Sequence, residues 1–176
     1  MVDRVLSVLT ERLNEYLNSY YDLPETLVVM GTPGGEDAEE GMNRIFVSLL
    51  NVEREGAAGI AYGYGTDGGG SVSKRAPAWR VNLCVVVSAI FEDKRYGEGL
   101  RMLSIAINFL QGQVQFQSSE GMKFTVELMS LSIQELTNVW SMLGGRYYPS
   151  VVCKVRMLTF DNQEMKAVIP RVKKTE

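Results

Sequence analysis

Hydrophobic positions along the chain follow two periods, and the changes between them mark out its elements. Val2, Val5, Leu6, Leu9, Leu13, Tyr16, Leu17 and Tyr20 recur at three- and four-residue steps. That spacing predicts an amphipathic helix over residues 3–19. Leu23-Pro24 ends it, because the residue before a proline is kept out of the helical region by steric clash. A short strand is expected over 27–30, then a glycine- and acid-rich loop over 31–41. Residues 44–52 are apolar on both faces, as in a strand covered on both sides by helices or by a neighbouring subunit. Residues 53–76 are punctuated by Gly63, Gly65, Gly68, Gly69 and Gly70. They read as one long loop, of a length that is uncommon in compact domains unless it serves a function or is disordered.

The clearest strand covers 79–91. Trp79, Val81, Leu83, Val85, Val87, Ala89 and Phe91 share one face, because successive side chains alternate. The other face, Arg80, Asn82, Cys84, Val86, Ser88 and Ile90, starts polar and ends apolar. A second helix is expected over 94–111, with a seam of Tyr96, Leu100, Leu103, Ile107 and Leu110 and with Gly112 as its stop. Residues 124–131 form another strand. It leads into Ser132-Ile133-Gln134-Glu135, the pattern of a capping box, with Leu131 and Leu136 placed as a hydrophobic staple. The helix that follows buries a stripe of Ile133, Leu136, Trp140 and Leu143 and ends at Gly144-Gly145. In the strand over 151–160, Val151, Cys153, Val155 and Met157 make an apolar face. Val152, Lys154, Arg156 and Leu158 make a mixed one. Asp161-Asn162 suggests a turn, and 167–172 a short strand that Pro170 confines to a sheet edge.

Helices and strands do not alternate strictly, which argues against a doubly wound parallel fold. The expected class is α+β. It is a single domain over 1–176, with one mixed, mostly antiparallel sheet of four to six strands and about three helices packed against it.

Composition narrows the chemistry. A chain of 176 residues, 45% hydrophobic, buries roughly 70% of its unfolded surface and needs no disulfide or metal to fold. The formal charge of −3 gives no reason to expect nucleic acid, which draws a clearly basic face. Met1-Val2-Asp3-Arg4 is not followed by the apolar run of a secretory signal. No stretch reaches the ~18 apolar residues of a membrane span. Synthesis in the cytoplasm and no membrane contact are therefore expected. The sequence contains no histidine, which excludes Ser-His-Asp and Cys-His nucleophile schemes and histidine-based zinc sites. Cys84 and Cys153 both lie in strand patterns and read as small buried hydrophobes.

No motif supplies a catalytic centre. Gly63-Tyr64-Gly65-Thr66-Asp67-Gly68 spells a dinucleotide fingerprint, but glycines, serines and a proline follow it where that fingerprint needs a helix. A flexible loop is the simpler reading. Glu36, Asp37, Glu39 and Glu40 lack the alternating spacing of a calcium loop. Lys74, Arg75 and Arg80 form a small basic cluster, either a solvated strand start or a docking contact for acidic side chains of a neighbouring subunit. Tyr147-Tyr148-Pro149 is either plain packing or an interface anchor, since tyrosine is enriched at interfaces. Lys154 and Arg156 put two cations on a strand face of mixed character and join the candidate interface. No catalytic, cofactor-binding or metal residue is expected.

The succession of segments carries more than any single motif. It consists of Asn43-Arg44-Ile45-Phe46-Val47-Ser48-Leu49-Leu50, the proline-led strand from Ala76-Pro77-Ala78-Trp79 to Ser88-Ala89, and the helix start Tyr96-Gly97-Glu98-Gly99-Leu100. Then come Leu131-Ser132-Ile133-Gln134-Glu135-Leu136 through Trp140 to Gly144-Gly145, and Arg146-Tyr147-Tyr148-Pro149-Ser150-Val151-Val152. Together with the N-terminal helix, this resembles the tail-terminator, or cap, family of contractile injection systems and contractile phage-like tails, over residues 3–160. The resemblance implies a structural protein rather than an enzyme. It implies a hexameric ring that closes the inner tube and anchors the last sheath layer, with further copies of itself, the tube protein and the sheath protein as partners. It also implies assembly in the bacterial cytoplasm before the particle is released. The alternative is a small ligand- or nucleotide-binding enzyme domain that uses the loop at 63–70.

Overall fold

The computed structural model describes residues 1–22, 25–33, 42–56, 63–66, 72–75, 79–118, 121–160 and 165–169. Helix α1 (Val2–Tyr21) turns Val5, Leu6, Leu9, Leu13 and Leu17 inward and leaves Tyr16 and Tyr20 exposed at the rim of the stripe. Asp22 ends it in the left-handed conformation, φ 53°. Strands β1 (Val28–Met30), β2 (Arg44–Arg54), β3 (Gly63–Thr66), β4 (Val72–Arg75) and β5 (Trp79–Ile90) follow. A 3-10 turn, Asp93–Arg95, leads into α2 (Tyr96–Gly112). The chain continues through β6 (Gln115–Gln117), β7 (Lys123–Met129), α3 (Ile133–Met142), β8 (Ser150–Phe160) and β9 (Met165–Ile169).

Six strands form one sheet in the order β1-β2-β5-β8-β7-β6. The β1–β2 pair is parallel and every other pair antiparallel, so the mixed α+β sheet expected from the pattern is the observed one. A second sheet, β3-β4-β9, was not expected. Two of its strands lie inside the stretch read as a loop over 53–76. The β5–β8 ladder runs out to Trp79 opposite Phe160 and resumes as β4–β9 with Arg75 opposite Met165. Only residues 76–78 and 161–164 intervene. The last strand pairs with β4 and not with β8, and it is an edge of the smaller sheet. Glycine-rich segments have weak strand propensity by themselves. Here β4 is paired on both sides, with β3 and with the distant β9, a tertiary influence that propensity does not carry. The expected turn at Asp161-Asn162, Pro170, Leu23-Pro24, the acidic group at 36–40 and the glycines at 68–70 lie outside the described residues.

Helices α1 and α2 cover one face of the larger sheet. Their buried side chains join Leu27, Ile45, Val47, Leu83, Val85, Val87, Phe124, Val126, Cys153 and Val155 in one core. Phe109 of α2 meets Phe116 edge-on with centroids 5.8 Å apart, and Phe116 stacks on Phe124 at 5.3 Å. The α2 seam is rotated from the one the spacing predicts. Leu103 and Leu110 are buried, but Tyr96 and Leu100 are exposed, and Gly99, Met102, Ile105, Ala106 and Phe109 take the inner face. Gly99 sets this rotation. A Cβ there would lie 2.8 Å from Phe91 Cδ2 and 2.9 Å from its Cγ, so only glycine lets the first turn of the helix abut that ring. Asn43, at φ 68°, fastens the same corner. Its N–H donates to Ile90 O at 2.7 Å, and its Oδ1 accepts from Glu92 N at 3.2 Å.

The opposite sheet face is also covered near the C-terminal end of β5. Phe46, Ser48, Val86, Ser88, Ile90 and Val152 are all buried there. The expected stripe of α3 is only partly covered. Trp140 is 3% exposed and Val139 is buried beside it, whereas Ile133 is 85% exposed because it overhangs at the first position of the helix. The capping box forms as expected. Glu135 N donates to Ser132 Oγ at 3.3 Å, and Ser132 N donates to Glu135 Oε2 at 2.7 Å.

Gly97 and Gly99, two residues apart in the first turn of α2, should respond oppositely to alanine. Gly99→Ala forces a methyl into Phe91 and is expected to cost about 1–3 kcal/mol. Gly97→Ala meets nothing within 4 Å and should add about 0.5–1 kcal/mol by lowering backbone entropy in the unfolded chain. Denaturant midpoints of the two variants check both signs. The capping box also makes the start of α3 sensitive to acid. The Ser132 N–H and hydroxyl hold the Glu135 carboxyl below its ordinary value of 4.5. The cap is thus fully formed above that value and is lost as pH falls through the lowered one. Amide exchange in the first turn of α3 should accelerate in that window. Glu135→Gln should keep the cap and flatten the dependence.

Candidate assembly interface

The face of the larger sheet turned away from α1 and α2 changes character along its strands. Toward the C-terminal end of β5 it is the buried apolar group around Val86. Toward the other end it carries charge, brought together by register. Glu53 lies opposite Asn82, Cys84 opposite Lys154, and Lys154 opposite Glu127. Lys154 Nζ reaches Glu53 Oε2 at 2.8 Å, across the width of β5. Arg156 Nε lies 2.9 Å from Glu127 Oε2, and its Nη1 is 4.0 Å from Glu55 Oε2. Asn82 Nδ2 donates to Glu55 Oε2 at 2.7 Å. The network thus ties four adjacent strands, β2, β5, β8 and β7. These groups are part-exposed, so each pair contributes only about 0–1 kcal/mol. The sharper consequence is for recognition. Lys154 and Arg156, the two cations singled out in the sequence, are already matched by this chain's own carboxylates. An acidic partner side chain would have to displace Glu53 or Glu127 to reach them.

Tyr147, Tyr148 and Pro149 sit at the opposite end of the strands, in the connection from α3 to β8. Pro149 O accepts from Ala89 N at 2.9 Å, which locks the connection onto the end of β5. Trp140 is met by both tyrosine rings, Tyr147 at 6.0 Å and Tyr148 at 5.6 Å between centroids. The Arg146 guanidinium stands 5.1 Å over the Tyr148 ring and 3.7 Å from Asp93 Oδ1. Tyr148 and Pro149 are half-buried, and Tyr147 is 57% exposed. Of the three, Tyr147 keeps the most surface for a partner. Beside it a shallow cleft of about 160 Å³ is lined by Phe91, Tyr96, Gly99, Tyr147 and Pro149 among others.

The basic cluster divides between the two sheets. Lys74 and Arg75 belong to β4, the middle strand of the smaller sheet. Arg80 is an exposed residue of β5, opposite Thr159. The eight candidate residues therefore form no single patch. They mark the smaller sheet, the adjoining end of the larger one, its charged face and its far aromatic corner.

Burial pushes the Cys153 thiol up to about 12, and burial likewise raises Cys84, so both stay protonated at neutral pH and neither is a nucleophile. Among the described residues no group of acidic or thiol side chains could hold a metal ion. Gly63–Thr66, the start of the apparent dinucleotide fingerprint, is a strand paired with Val72–Arg75. That conformation differs from the turn into a helix N-terminus on which phosphate binding by such a fingerprint depends. The acidic partners Glu53, Glu55 and Glu127 could not be found by sequence reading, because they become neighbours of Lys154 and Arg156 only through strand register.

No curated protein matches the chain. Solved structures share its fold, and two of them are informative. One is described as the sheath/tube terminator, in the extended state, of PVC, an extracellular contractile injection system. It has a TM-score of 0.61 and 14% identity, and the match covers 93% of this chain and 63% of that one. The other is the anti-feeding prophage cap, an AFP tube terminating cap, with a TM-score of 0.63, 15% identity, and coverage of 100% and 61%. The chain thus spans a little over three fifths of the length of either protein. The family model for the Pvc16 N-terminal domain matches residues 4–174, nearly the whole sequence, and the chain belongs to that family.

Proposed function

We propose that this chain is a structural cap. It assembles as a hexameric ring that terminates the inner tube of a contractile injection particle and anchors the last layer of its sheath. The observation that carries the reading is the family match over residues 4–174. The fold shared with a sheath/tube terminator and a tube terminating cap supports it. The partners are further copies of the chain, the tube protein and the sheath protein. Nucleic acid and membrane have no part in it. The subunit is made in the bacterial cytoplasm and leaves as part of the particle. It has no catalytic role, in keeping with a sequence without histidine and with two protonated thiols.

Sheath attachment is read as strand addition. β7 pairs with β8 only as far as Arg156, while β8 continues to Phe160 and the chain runs on into β9. Along residues 157–160 and 165–169 the outer edge has no partner strand among the described residues. An open edge of this kind is a template for an extended segment of another chain. Lys74, Arg75 and Arg80 lie one strand in from this edge, on β4 and β5, and would meet an acidic neighbour at the same end of the sheets. Tyr147, Tyr148 and Pro149 mark the opposite end as a second contact, while Lys154 and Arg156 brace the face between.

Truncation after Asn162 tests the reading. It removes β9, which pairs only within the smaller sheet, and leaves every strand of the larger sheet in place. The shortened subunit is expected to fold, to form its ring and to stop tube growth, but to lose sheath attachment. Electron microscopy of particles assembled with it reads all of these. Capped particles with full-length, firmly held sheath would rule out strand addition at this edge. Failure of the full chain to form rings on tube ends would rule out the cap itself.

A further inference from the structure

The larger sheet has two outer edges, β1 and β6, and β1 is treated in a particular way. Leu27 O accepts from Ile45 N at 2.9 Å, and Gly31 N donates to Val47 O at 3.2 Å. In a parallel ladder alternate residues point toward the partner strand. Leu27, Val29 and Gly31 therefore turn their backbone groups to β2, and Val28 and Met30 turn theirs outward. The outward N–H of Val28 is not left open. It donates to Asn14 Oδ1 at 3.0 Å, and Leu27 N, lying before the ladder begins, donates to the same oxygen at 2.8 Å. Asn14 belongs to α1 and is half-buried against β1. Thr10 and Asn18 lie one turn to either side on the same helix, and their buried side-chain oxygens have no partner. Of the three, only Asn14 engages the strand.

We propose that Asn14 is an edge guard. Its amide oxygen occupies Val28 N–H, the first outward donor of β1, together with Leu27 N–H just before the strand, and so closes that edge to strand addition by a second copy of this chain. A sheet edge whose outward donors are occupied cannot template another strand. A parallel, Val- and Met-bearing edge invites such pairing. A side-chain acceptor on Val28 N–H removes the first of the two outward donors that an incoming strand would use. Met30 remains the one outward donor in β1 beyond its reach, and its side chain is 50% exposed. The guard acts in the isolated subunit and does not depend on the cap reading.

The test uses the purified full chain in sedimentation velocity over a tenfold range of concentration. Asn14→Leu keeps the bulk and removes the acceptor. It is expected to at least double the weight-average mass relative to the unmodified chain at the same concentration. Asn14→Asp keeps an oxygen for both N–H groups and should leave the distribution unchanged. Adding Met30→Pro to Asn14→Leu replaces the second outward N–H with a ring that stands where an incoming strand would pair, and an edge strand tolerates proline. The double variant should return to the original distribution. An unchanged distribution for Asn14→Leu would overturn the proposal. So would enlarged species for Asn14→Asp, or enlarged species of Asn14→Leu that persist with Met30→Pro, because these would mark general unfolding rather than pairing at this edge.

Discussion

The structure is organised around the two ladders of β5. This strand pairs with β2 along one side from Val81 to Ile90 and with β8 along the other from Trp79 to Ser88. Its backbone groups are satisfied from both sides, and from Val81 to Ile90 every side chain except the half-buried Cys84 is buried. A strand in this position must be apolar on both faces in its middle, since a polar group there would need a partner. Asn82 meets that demand through Glu55. Displacing β5 would separate the helix-covered core from the aromatic corner and break the continuity with the smaller sheet.

Everything proposed about assembly is positioned by that strand. Its C-terminal end carries the corner where Phe91 receives Gly99 and Ala89 N holds Pro149 O. Its N-terminal end follows β4 after residues 76–78. The two ends are held apart by a stiff, doubly paired segment. This geometry suits a subunit that must touch different neighbours at once. The charged network between them, Glu53–Lys154 and Glu127–Arg156–Glu55, neutralises the exposed part of the face within the chain. It fixes which strands lie side by side more than it adds to stability, because part-exposed pairs are weak while like charges opposite one another are unfavourable.

The sheet edges show a matching division. The β1 edge is occupied by Asn14, and the distal edge of β8 with β9 has no partner strand among the described residues. Such a difference between edges matters wherever backbone pairing with another chain is possible, because specificity rests on excluding wrong pairings as much as on favouring the right one.

The sequence alone determined the parts governed by neighbours a few residues apart. The stripe of α1 follows from three- and four-residue steps. The Ser132–Glu135 box follows from a spacing of three. The buried middle of β5 follows from its unbroken apolar run. The α+β class follows from the order of these segments. The absence of histidine removed whole classes of chemistry, and the succession of segments pointed to the cap family. Tertiary structure decided the rest. The Lys154–Glu53 pair joins residues 101 positions apart. The rotation of α2 depends on how closely Gly99 approaches Phe91, not on the apolar period of the helix. Ile133 lies on the correct stripe but overhangs the body. Strands β3 and β4 form in a glycine-rich stretch, where β4 also pairs with β9 from about a hundred residues further along the chain. Local spacing fixes local hydrogen bonds and which side of an element is apolar. Register, close approach and edge exposure arise only when distant segments meet, and nothing in the order of neighbouring residues encodes that distance.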